Sequence, residues 1–198
     1  MTVAYDLETA LVVVDVQNDF ADPNGNLYVG DGEAVVPVIN QEIARARSAG
    51  AHVIYTADWH PPSTPHFAKD GGIWPVHCVG DTWGAKFHPN LIVDGPVVRK
   101  GTSGEDGYSG FSMRDPEGDE IIATGLADQL RRWGVQKIVV CGLATDYCVK
   151  ATALDGASGG FEVTLLEDAV RSVELEPGDG QRALVEIERA GCALTDTG

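Results

Sequence analysis

The sequence predicts an α/β protein: a three-layer α/β/α arrangement around one parallel sheet of six strands. Two observations carry this. Short β-branched runs alternate with segments of helical spacing, the order that right-handed strand–helix–strand crossovers produce. The strand runs are also continuously apolar rather than alternating, as strands covered on both faces should be.

ALVVVDV (10–16) is read as the first strand. Residues 33–49 then place Val36, Ile39, Ile43 and Ala46 at helical spacing, and Gly50 supplies the stop. HVIYTA (52–57) is the second strand. A connection over 58–96 follows, rich in Pro, Gly and aromatic residues, and loops of that length are usually functional. PVVRK (96–100) is the third strand, and Leu126 to Trp133 a helix ending at Gly134. KIVVCG (137–142) is the fourth strand, followed by a helix from Thr145 to Ser158. FEVTLLE (161–167) is the fifth. A helix over 180–190, with Leu184 and Ile187 inward, closes at Gly191, and CALTD (192–196) is the sixth strand. Neither a linker nor a repeat interrupts the pattern, so residues 1–198 are expected to form a single domain.

Composition excludes several classes. A net charge of −16 is wrong for nucleic acid or an anionic membrane surface, both of which need a basic face. No apolar run approaches the roughly 18 residues of a membrane span, and MTVAYDLETA lacks the basic-then-apolar order of a signal peptide. Four cysteines are too few for a disulfide framework in a chain of this length, so a cytoplasmic setting is expected. Cys141 and Cys192 lie in apolar strand runs and read as inert core residues.

In parallel sheets, ligands bind beyond the carboxyl ends of the strands. Asp15, Asp58, Lys100 and Cys148 all fall at or just past such ends. Asp58 and His60 are two apart, so both can point the same way, and His66 and His77 lie on the loop that follows. One carboxylate and three imidazoles suit zinc, manganese or iron. His52 and His88 have no such partners and read as structural. Thr145 or Asp146 is expected to cap the helix after the fourth strand, placing Cys148 in its first turn. A helix N-terminus lowers a thiol pKa; the alternative is a small buried hydrophobe. Asp15 and Lys100 are either a structural ion pair or an acid–base pair serving Cys148.

With VVVDVQNDF, DWHPPSTPHF, WPVHC, FHP, VVRKG, YSGF and GLATDYCV in this order, the chain resembles the nicotinamidases (pyrazinamidases) of the isochorismatase-like cysteine hydrolases. The resemblance implies a doubly wound isochorismatase-like fold with Cys148 as nucleophile, Asp15 as general base and acid, and Lys100 completing the triad. It implies Asp58, His60, His66 and His77 as ligands of one divalent metal, zinc first, with iron and manganese as alternatives. It further implies a cis peptide before Ala144, with the N–H groups of Ala144 and Cys148 forming an oxyanion hole. Phe20, Trp74 and Tyr108 would border the substrate ring. The implied reaction is hydrolysis of nicotinamide to nicotinic acid and ammonia through a thioester, in NAD salvage, with pyrazinamide as a second substrate. Two departures stand out: Tyr147 precedes the nucleophile where other members often have His, and KGTSGEDGY carries two acidic residues near the entrance.

Three rival readings remain: an amidase for another carbamoyl or ureido compound, a silent metal- or partner-binding module, and a dinucleotide-dependent dehydrogenase. The last fails at VQNDF, which stands where a Gly-rich phosphate loop belongs. NAD is therefore not expected as a cofactor.

Overall fold

Residues 3–115 and 120–198 are described by a computed structural model of the chain. In chain order its elements are β1 (Thr9–Val14), α1 (Asn18–Ala21), α2 (Val35–Ser48), β2 (His52–Asp58), β3 (Val97–Lys100), β4 (Ser112–Arg114), β5 (Ile121–Ala123), α3 (Leu126–Arg132), β6 (Lys137–Leu143), α4 (Lys150–Ser158), β7 (Glu162–Arg171), α5 (Asp179–Arg189) and β8 (Ala193–Thr195). Six strands pair in parallel in the order β3-β2-β1-β6-β7-β8. The chain winds outward from β1 in one direction, then returns beside it as β6 and winds outward in the other. That reversal makes the β1/β6 junction the topological switch point, where a crevice opens beyond the strand ends.

The pleat sends alternate residues of each strand to opposite faces. Leu11, Val13, Tyr55, Val139 and Cys141 meet the apolar stripe of α2 (Val36, Ile39, Ile43, Ala46). Ala10, Val12, Val14, Ile138 and Val140 meet Leu126 and Leu130 of α3, Ala153 of α4 and Ile187 of α5. Both faces are covered, which is why these strands read as unbroken apolar runs.

The structure departs from the sequence expectation at the ends that matter most. The first strand stops at Val14 rather than at residue 16, because Asp15 turns the chain with φ 48°. The fifth sheet strand runs on to Arg171, past the predicted 167. The helix predicted from Thr145 opens as a π-helical turn (Thr145–Val149) before α4. Neither Thr145 nor Asp146 caps it: the Asp146 carboxylate instead accepts the N–H groups of Val173 and Glu174, at 3.0 and 2.9 Å. The helix α1 and the antiparallel pair β4–β5, of four and three residues per element, are too short to leave a period in the sequence. Gly142 is required by sterics, since a Cβ there would meet the Val14 carbonyl oxygen at 2.1 Å and its φ is 116°.

Candidate active site

Asp15, at the turn ending β1, is fully buried. Its Oδ1 accepts a 2.6 Å bond from the Thr56 hydroxyl, and its Oδ2 lies 2.7 Å from Lys100 Nζ. Lys100 ends β3 with no exposed surface, and its ammonium also donates to Asp58 Oδ1 and the Gly107 carbonyl. Cys148 Sγ sits 3.5 Å from the same nitrogen. One buried cation thus gathers two carboxylates and a thiol from four strand ends.

Burial opposes charge on every member of this cluster, and the partners decide the outcome. It works against the Lys100 ammonium, but Asp15 and Asp58 outweigh it and hold that pKa well above the ordinary lysine range. Burial pushes the Asp15 carboxyl up, with Lys100 pulling back. Asp58 faces the same burial, but Lys100 and the neighbouring histidines bring it well below the usual carboxylate range. For Cys148, burial raises the thiol pKa well above its ordinary value despite Lys100. This corrects the expectation of a thiol acidified by a helix N-terminus: at a 6 % exposed site, desolvation prevails. Burial therefore favours the protonated thiol, and Lys100 lies against both Cys148 and Asp15.

Two of the three histidines face the other oxygen of Asp58. Its Oδ2 lies 3.7 Å from His60 Nε2 and 3.8 Å from His77 Nε2. Ligand atoms of His60, His66 and His77 all fall within 4.8 Å of one another. His77 Nδ1 donates to the Pro75 carbonyl at 2.8 Å and His66 Nδ1 meets Asp106 Oδ1 at 2.6 Å, so Nε2 is the free nitrogen on each. Both ring nitrogens of buried His60 lack any hydrogen-bond partner among the described residues. Burial lowers the pKa of His66 and takes that of His77 down to about 4, leaving neutral imidazoles. An orphaned buried nitrogen among neutral imidazoles and a carboxylate fits a divalent metal.

Between the thiol and the histidines lies a narrow cavity, lined on its apolar side by Phe20, Leu27, Trp74, Tyr108, Tyr147 and Val173. Trp74 Nε1 donates to the Tyr108 hydroxyl at 2.8 Å, and the Tyr147 ring stands edge-on to Trp74 at 4.8 Å. Phe20 packs against His77 at 5.4 Å. Ala144, joined to Leu143 by a cis peptide, and Cys148 also line the space. Every residue singled out from the sequence for this site therefore lies in it. His52 instead stacks on Trp133, and His88 accepts a bond from the Asn90 amide.

Three contributors were missed. Gln17 clamps the backbone of Asp58 from both sides, donating to its carbonyl (2.7 Å) and accepting from its N–H (2.8 Å). The only signal in the sequence was an amide two residues beyond Asp15, at the same strand end. Tyr147 entered the reading only as a departure, yet it walls the cavity. Asp106 holds a histidine of the cluster, which the acidic pair in KGTSGEDGY did not by itself reveal.

A thiol, carboxylate and lysine cluster faces a histidine cage at the switch point of a 3-2-1-4-5-6 parallel sheet, the arrangement of a doubly wound α/β protein with a site for a small ligand. Residues 9–198 match the Isochorismatase domain family, and the chain belongs to it. It is 36% identical over 204 residues to the nicotinamidase of Escherichia coli strain K12, with 93% of each protein covered. Among solved structures, PnC1 of L. infantum in complex with nicotinate superimposes with a TM-score of 0.89 at 35% identity, covering 99% of this chain and 96% of that one. The pyrazinamidase of Pyrococcus horikoshii in complex with zinc gives 0.84 at 42% identity, covering 96% and 99%.

Proposed function

We propose that this protein is a nicotinamidase: a metal-containing cysteine amidohydrolase that converts nicotinamide to nicotinic acid and ammonia, and pyrazinamide to pyrazinoic acid. The observation that carries the reading is one cavity with the Cys148–Asp15–Lys100 cluster on one side and the His60–His66–His77 cage on the other. A flat aromatic amide spans that space, its ring among Phe20, Trp74 and Tyr108 and its carboxamide at the sulfur. The nicotinamidase and pyrazinamidase relatives support the same assignment.

Asp15 accepts the Cys148 proton as sulfur attacks the carboxamide carbon. Lys100 keeps Asp15 ionised until then, against a burial that favours the neutral acid. The tetrahedral oxyanion faces the amide N–H groups of Ala144 and Cys148. Asp15 returns the proton to nitrogen, the C–N bond breaks, and ammonia leaves a thioester on Cys148. Water then adds to that carbonyl with Asp15 as base, the C–S bond breaks, and the thiol recovers its proton. Asp58, His60, His66 and His77 would hold a divalent metal, zinc first, which would supply a Lewis acid that orients the substrate ring without making the nucleophile. Four free, buried cysteines suit work in a reducing cytoplasm.

The test is ammonia release from nicotinamide by the metal-loaded protein, with Cys148→Ala alongside. Release that disappears in the variant is expected. Equal release from both proteins would remove Cys148 from the chemistry, and no release from either would remove nicotinamide as the substrate.

A further inference from the structure

Two of the three cage histidines have an acceptor behind the ring, and the acceptors differ. His77 uses the Pro75 carbonyl, two residues away and fixed by local geometry. His66 uses a side chain from another loop, Asp106, forty residues later in sequence. His60 uses none; Gly101 instead passes so close that a Cβ there would lie 2.7 Å from its ring.

Asp106 is itself held in place. Its N–H donates to the Arg114 carbonyl (2.9 Å) and its carbonyl accepts from the Arg114 N–H (2.8 Å), which ties it to β4. A second link joins the same two loops: the Thr64 hydroxyl donates to the Gly104 carbonyl at 3.0 Å and accepts from the His66 N–H at 3.3 Å. The residue after Asp106 is Gly107, whose carbonyl receives the Lys100 ammonium. The segment 101–107 therefore reaches the metal cage with a carboxylate and the triad with a carbonyl.

We infer that Asp106 is a positioning residue of the metal site, holding the proton of His66 on Nδ1 and turning Nε2 toward the metal. The inference rests on the reading of His66 as a ligand. A carboxylate accepting from the second ring nitrogen fixes both tautomer and ring orientation, and removing such a partner typically costs 10–100-fold in metal affinity. Asp106 touches neither substrate nor sulfur; it acts through His66.

The test is zinc affinity of the demetallated protein, measured by competition with a chelating dye, for wild type, D106A, D106N, H66A and H66A/D106A. The Asp106 side chain is 43 % exposed, so its replacement leaves the core intact, and the unfolding temperature of each apoprotein checks this. D106A is expected to bind zinc about 10–100-fold more weakly. D106N should lose less, because its amide oxygen still accepts from Nδ1–H. The double variant should bind no more weakly than H66A alone. If H66A weakens binding while D106A stays within about twofold of wild type, the inference is overturned and the ligand assignment stands. If D106A weakens binding equally in the H66A background, the carboxylate acts by charge alone and positioning is refuted. Unchanged affinity in H66A would overturn the ligand assignment and this inference together.

Discussion

Replacing Lys100 with Met tests the electrostatic account of the site most directly. The substitution keeps the stem volume and removes the one charge that neutralises Asp15 and Asp58, which are 0 % and 4 % exposed. Removing one partner of a buried ion pair costs about 3–5 kcal/mol, because the other charge is left uncompensated. Here two carboxylates are left, separated only by the space the ammonium filled. They have one escape, which is to bind protons. The folded variant then holds protons that the unfolded chain releases at ordinary carboxylate pKa values, so its stability falls as pH rises.

Urea unfolding of the demetallated proteins, followed by tryptophan fluorescence, reads this out. K100M should be about 3–5 kcal/mol less stable than wild type at pH 8, and the gap should narrow at pH 5. The double variant D15N/K100M, with one buried charge fewer, should recover part of the loss. A deficit below about 1 kcal/mol at pH 8, or one identical at both pH values, would show that Lys100 does not neutralise these carboxylates.

Other measurements follow from the same geometry. D15N should lower ammonia release by roughly 10²–10⁴-fold, as expected for loss of a general acid–base, with zinc content unchanged. Ammonia release within a few-fold of wild type would remove Asp15 as the acid–base group. His77, with its pKa taken from 6.5 down to about 4 by burial, stays neutral while the unfolded chain protonates. The apoprotein should therefore lose about 3 kcal/mol between pH 6.5 and 4, and much of that loss should vanish in H77A. Y108F deprives the Trp74 indole N–H of its acceptor; KM for nicotinamide should rise several-fold with kcat little changed, as for a residue that binds the ring without touching the reacting carbon.

The sheet was legible because burial on both faces writes itself as continuous apolar runs, and Asp15 and Lys100 stood out because each ends such a run with a charge. The histidine cage was legible by spacing and by the improbability of a loop so rich in imidazole. What escaped was set by tertiary contact. Gln17 and Asp106 matter only for the groups they face, and those groups lie 41 and 40 residues away. The thiol pKa went the other way because a first-turn position says nothing of how deeply the turn is buried. Asp146 departs from expectation for a related reason: an Asp at a helix start suggests a cap, yet here its carboxylate ties the turn that carries Cys148 to the Val173 segment that walls the cavity.

Asp58 explains why the metal cage and the triad occupy one site rather than two. Its Oδ1 receives the Lys100 ammonium and its Oδ2 faces His60 and His77, so one side chain belongs to both groups. A carboxylate shared in this way has to remain ionised while fully enclosed, and only the combined pull of the lysine and the histidine cluster achieves that. Its backbone is accordingly fixed by Gln17 at both N–H and carbonyl. Lys100 is in turn shared between Asp58 and Asp15. The chain of neighbours runs from the histidines through Asp58 and Lys100 to Asp15 and Cys148, across strand ends that only the reversal at β1 and β6 brings together. A change at the histidine cluster that moves Asp58 therefore moves the Lys100–Asp15 ion pair as well, so under the proposed mechanism substrate orientation and activation of the sulfur depend on the same few atoms.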